Sequence, residues 1–133
     1  MTEELENIHD AELVNISIMR AVRSLRLEFL LVTGGKIQVL VDGVTHFRAA
    51  DVIMQNVVSR LLISSRDALS DNDIADRLRW VTRLSDTSSF ASDPQLDLLR
   101  AKLLSNELVL IFLEPSWGAE LVIVGKSISV TTS

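Results

Sequence analysis

The chain has only two imidazoles, and carboxylates stand near both. His9 is followed directly by Asp10. Such a pair can serve as a general base with its orienting group, or as two ligands of a metal site. Two facts weigh against convergence. Neighbours on an extended strand point to opposite faces. A protein metal site needs three or four ligands, and this chain has two His and no Cys. The local alternative has both side chains bonding loop backbone ahead of the first strand. His46 is the second candidate, with Asp42, Arg48 and Asp51 close in sequence. Period-two alternation puts His46 and Arg48 on one face, which also reads as a solvent-facing polar strip. If His9, Asp10 and His46 converge, the chain is a small-molecule binding domain or a degenerate enzyme.

Motifs for other chemistries are missing. No Gly-x-Ser-x-Gly, Gly-x-Gly-x-x-Gly or phosphate loop occurs. The double glycine Gly34-Gly35 lies between two strand patterns and does not open a helix, so it reads as a hairpin turn. No paired-carboxylate hydrolase pattern is visible. No catalytic, cofactor-binding or metal residue is therefore assigned, and the expected class is a non-enzymatic binding protein. Beside His9 and Asp10, the candidate partner-binding residues are Asn56 and Trp117. Asn56 follows Gln55 in an otherwise apolar run; it bonds either neighbouring backbone or a partner. Trp117 sits in the turn Pro115-Ser116-Trp117-Gly118, where it is either a lid on the core or a partly exposed contact. Trp80 reads as core or core-edge.

The elements that must carry these residues follow from periodicity. Residues 13–20 and 25–31 alternate with period two, and Ile37, Val39 and Val41 form the inner face of a third strand. A fourth strand is expected at Val44 to Arg48, after the turn signal Asp42-Gly43. Residues 50–66 fit either a helix face or a β-branched strand; a strand from about Gln55 to Ser64 is favoured. Ser70 to Asp73 supplies cap residues for a helix carrying Ile74, Leu78, Val81 and Leu84. After the polar loop Ser85 to Asp93, Ser92-Asp93-Pro94 caps a second helix, with Asn106 as its left-handed stop. Strands follow at Glu107–Glu114 and Leu121–Val130, joined by a turn in which Gly118 takes a positive φ. The expected fold is one α+β domain, 1–133. It is an antiparallel sheet of six or seven strands, with two helices (about 70–85 and 93–105) inserted before the last two strands.

Composition agrees with a folded chain. Of 133 residues, 47% are hydrophobic and 23% charged, so disorder is excluded. The longest apolar run, Leu108 to Leu113, is far short of the roughly 20 residues that span a bilayer. The N-terminus has neither the positive start nor the apolar core of a secretory signal, so a cytoplasmic location is expected. The formal net charge is −5, with Glu3, Glu4, Glu6, Asp10 and Glu12 crowding the start. An acidic surface disfavours nucleic acid and favours encounter with a basic protein. Arg20, Arg23 and Arg26 form a local basic cluster.

The motifs Ile8-His9-Asp10-Ala11-Glu12-Leu13, Gln55-Asn56-Val57-Val58 and Leu113-Glu114-Pro115-Ser116-Trp117-Gly118 extend over much of the chain. In these the chain resembles a set of small bacterial domains that open on His-Asp-Ala or His-Asp-Ser and end in a strand, a Ser-x-Gly-type turn and a strand. Some relatives of that set are similar to immunity proteins encoded beside polymorphic toxins. The resemblance implies no catalytic residue. It implies a protein partner, such as a basic toxin that the acidic surface would mask. Self-association as a homodimer through sheet edges or Trp117 is the remaining expectation.

Overall fold

The computed structural model describes residues 3–85 and 87–133; Met1, Thr2 and Asp86, the last within the expected loop Ser85–Asp93, lie outside the described residues. The fold is α+β, with one antiparallel sheet of eight strands and two helices. The strands are β1 (Glu12–Met19), β2 (Ser24–Leu30), β3 (Lys36–Asp42), β4 (His46–Ala50) and β5 (Asn56–Ile63), then β6 (Val109–Trp117), β7 (Glu120–Gly125) and β8 (Ser127–Thr132). Helices α1 (Asp71–Val81) and α2 (Asp93–Leu104) stand between β5 and β6.

The pairing register closes the sheet on itself. β3 and β4 are two halves of one long path, broken at residues 43–45. β7 and β8 are likewise two halves of another, broken at Lys126. The two paths run antiparallel along their length, with Asp42 opposite Ser127 and His46 opposite Val124. From there β7 pairs with β6, β6 with β5, β5 with β1, β1 with β2 and β2 with β3. The circuit is a barrel of six strand positions, a closure that removes most exposed sheet edges. At Gly125 the two paths approach closely. A Cβ there would lie 2.7 Å from Val41 Cγ1 and 3.0 Å from the Asp42 carbonyl oxygen.

Period two fills the barrel. Leu25, Leu27, Phe29, Ile37, Val39, Val41, Leu61, Ile63, Ile111, Leu113, Leu121 and Ile123 are buried inside it. β6 and β7 are also covered on their outer face. Leu110, Phe112, Val122 and Val124 meet Ile74, Leu78 and Val81 of α1 and Leu103 of α2. This two-sided burial is why residues 108–113 read as a continuous apolar run. α1 begins at Ser70, whose side chain accepts from the Asp73 N–H, and α2 begins in a capping box between Ser92 and Gln95.

Several expected boundaries are corrected. The sheet has eight strands rather than six or seven, because the run expected as one strand at Leu121–Val130 is interrupted at Lys126 and forms β7 and β8. Three strands follow the helices, not two. The fourth strand lies at His46–Ala50, later than Val44–Arg48. α1 stops at Val81, well short of residue 85: the Thr82 hydroxyl donates to the Leu78 carbonyl, and Ser85 turns left-handed at φ 51°. Residues 115–117 belong to β6, so the following turn is shorter than expected. The strand expected near 55–64 is β5, and Asn106 (φ 61°) and Gly118 (φ 83°) are left-handed as expected.

Candidate functional site

The barrel closes poorly in one place. β1 and β5 pair only through Glu12–Val57 and Leu13–Asn56, with flanking bonds from Asp10 N–H to the Val58 carbonyl and from Val58 N–H to the Ala11 carbonyl. Past Leu13, β1 bulges and continues to Met19 against β2 alone. On the other side of the opening, β4 pairs with β7 alone. The opening is bounded by the second half of β1, the turn at residues 20–23, β4, and the connection at residues 51–55.

Two cavities occupy it. One of about 740 Å³ is lined by Ile18, Met19, Leu25, Val44 and Phe47, with Arg20 and Arg23 at its edge. The other, about 420 Å³, lies between Leu13–Ile16 of β1 and Val52–Met54. Ile18 shows the consequence of the missing wall. It sits opposite buried Leu25, on the inward face, yet is 67% exposed. Val14, Val52, Ile53 and Met54 are exposed beside it, Met54 completely. Arg20 and Arg23 are exposed, and neither makes a side-chain hydrogen bond or ion pair among the described residues.

Asn56 fixes the lower border. It is buried; its Oδ1 accepts from the Ile53 and Ala119 N–H groups at 3.0 Å each, and its Nδ2 donates to the Ile53 carbonyl at 2.7 Å. The side chain is spent on backbone, so the expectation that Asn56 faces a partner is corrected to a structural role. A Cβ on Gly118 would lie 2.5 Å from Asn56 Oδ1, so this turn admits only glycine without displacement. Trp117, opposite Val57 on the barrel exterior, is 63% exposed.

The His9 and Asp10 side chains do approach, Nε2 to Oδ1 3.5 Å, contrary to the alternation argument. Asp10 takes a left-handed φ of 65°, so the pair is not on extended backbone. His9 Nδ1 donates to the Ser59 carbonyl at 2.9 Å, and both side chains are exposed. His46 is elsewhere. It pairs with Val124 across the barrel from β5, and its Nδ1 is hydrogen-bonded to Thr45 Oγ1 at 3.0 Å. Burial holds the His46 imidazole below the ordinary histidine range. The three side chains expected to share a pocket are thus not brought together. Arg48 does not lie in an open polar strip either. Its guanidinium stacks 4.2 Å from the Trp80 ring centroid and donates to the Trp80 carbonyl in the last turn of α1 and to the Ser85 carbonyl beyond it.

Among the described residues, no group of three or more His, Asp or Glu side chains could hold a metal ion, and no helix is long and apolar enough to cross a membrane. Sequence reasoning missed the opening itself. Its one available signal was Val52-Ile53-Met54, an apolar run left outside the favoured strand, just before the polar pair Gln55-Asn56. Compared with family models, curated proteins and solved structures, the chain finds no match.

Proposed function

We propose that this protein is a non-enzymatic binding module whose working surface is the open seam between β1 and β4. The observation that carries this reading is the grouping of exposed Val14, Ile18, Val52, Ile53 and Met54 around one opening. Apolar groups concentrated at a concave site are the usual mark of a contact surface, whereas scattered ones need no explanation. The net charge of −5 supports a basic partner for the protein as a whole, as an immunity-like role requires; at the seam itself the bordering charges are Arg20 and Arg23.

The test is photo-crosslinking in the native host. A photoreactive residue in place of Met54 should crosslink to another protein, while one in place of Leu98, exposed on α2, should not. Equal yields from both positions, or none from position 54, would refute the assignment.

A further inference from the structure

Resting on the reading of the seam as a protein-binding surface, we infer that it is filled by strand addition. One extended segment of a partner protein lies between β1 and β4, with apolar side chains at alternate positions and an Asp or Glu at the Arg20–Arg23 end.

Both walls of the opening are strand edges. From Val14 to Met19, β1 has β2 on one side and no strand on the other; β4 has only β7. Alternate N–H and C=O groups of each therefore turn toward the gap with no strand to meet them. The two edges also run in opposite directions. The start of β4 lies by the end of β1, where the Val44 N–H donates to the Arg23 carbonyl; the segment after β4 borders Val14–Ile16. An inserted segment pairs antiparallel with one wall and parallel with the other. Its main chain supplies affinity, and its alternate side chains supply selectivity.

The register of those side chains follows from the walls. Every second residue points inward toward Ile18, Leu25 and Phe47 and must be apolar. Residues between them face solvent. At one end, two guanidinium groups without ion-pair partners among the described residues favour a carboxylate, since a charged partner restores the pairing that Arg geometry suits.

Other occupants fit less well. Two copies of net charge −5 repel, which disfavours pairing of these edges between copies of this chain. A free fatty acid would leave the main-chain groups unpaired, and the wide opening would not cover most of its surface as small-ligand sites do.

Random peptides displayed on phage, selected against the full chain, test the inference. Enriched peptides should alternate apolar residues and carry Asp or Glu at one end. Synthesised with N-methyl groups on alternate backbone nitrogens, they should bind more than about tenfold more weakly, since main-chain hydrogen bonds are lost. The double variant Arg20→Glu, Arg23→Glu should lose affinity for these peptides and select basic-ended ones instead. Binding that ignores N-methylation overturns strand addition, and basic-ended peptides on the unaltered chain overturn the charge assignment. Strand addition also fails if no peptide is enriched, if dodecanoate binds the seam and peptides do not, or if sedimentation shows a dimer dissolved by Ile18→Glu. Crosslinking from position 54 requires no particular backbone geometry, so the broader reading stands or falls separately.

Discussion

Replacing Gly118 with alanine should unfold the border of the seam at a cost that Gly34→Ala does not share. Both glycines have positive φ, 83° and 96°. A left-handed alanine alone costs roughly 1–2 kcal/mol. At Gly34 nothing lies within 4 Å of the added Cβ, so the cost stops there. At Gly118 the Cβ would meet Asn56 Oδ1 at 2.5 Å and the Gln55 carbonyl oxygen at 3.1 Å. The Asn56 amide must then move away from the Ile53 and Ala119 N–H groups. Ala119 is fully buried, so its N–H is left without water, a penalty of about 1–3 kcal/mol. The sum is about 2–5 kcal/mol for Gly118→Ala. A domain of this size loses roughly 4 °C per kcal/mol, so Tm should fall by about 8–20 °C, against about 4–8 °C for Gly34→Ala. Thermal unfolding followed by circular dichroism measures both. Equal Tm losses for the two variants would refute the reasoning, because they would show that the Asn56 bonds hold nothing.

Trp117→Ala should leave Tm within a few degrees of wild type, since the ring is mostly exposed and surface changes usually cost below about 0.5 kcal/mol; a loss of 10 °C would reinstate it as a lid on the core. His46 has a folded pKa held below its unfolded value, so the unfolded chain takes up the proton first and stability is lost as pH falls below about 6.5. His46→Gln should therefore flatten the Tm-against-pH curve between about pH 7 and about pH 5, and an unchanged slope would show that another group sets it. Arg48→Met removes the stack on Trp80 and the bonds to the carbonyls of Trp80, in the last turn of α1, and of Ser85 beyond it; it should cost about 1–3 kcal/mol and loosen α1 first, seen as faster amide exchange in residues 78–82 than in β2.

Local patterns in the chain determined much of the secondary structure. Period-two runs at 13–31 and 37–41 place strands because side chains on extended backbone must alternate between core and outside. Ser70, Ser92 and Pro94 mark the helix starts because free N–H groups in a first turn need an acceptor, or no donor at all. Gly118 and Asn106 announce left-handed turns because few side chains tolerate that conformation. For Trp117 the chain left a lid on the core and a partly exposed contact both open, and its place at the end of β6 on the barrel exterior decided for exposure. The break after Asp42 was announced by Asp42-Gly43, but the one at Lys126 was not, since it depends on how two long strands cross, and so the strand count came out low. The early end of α1 was hidden because Leu84 continues the apolar period while Thr82 and Ser85 take the chain elsewhere. Closure of the sheet, and the place where it fails, belong to tertiary structure alone. β1 and β5 are 43 residues apart at their pairing of Leu13 with Asn56, and no local pattern records a partner that far along the chain. Ile18 has the composition of a core residue and the alternation of one. Only the missing neighbour beyond β1 leaves it in water, because burial is a property of what lies opposite a side chain and not of the side chain itself.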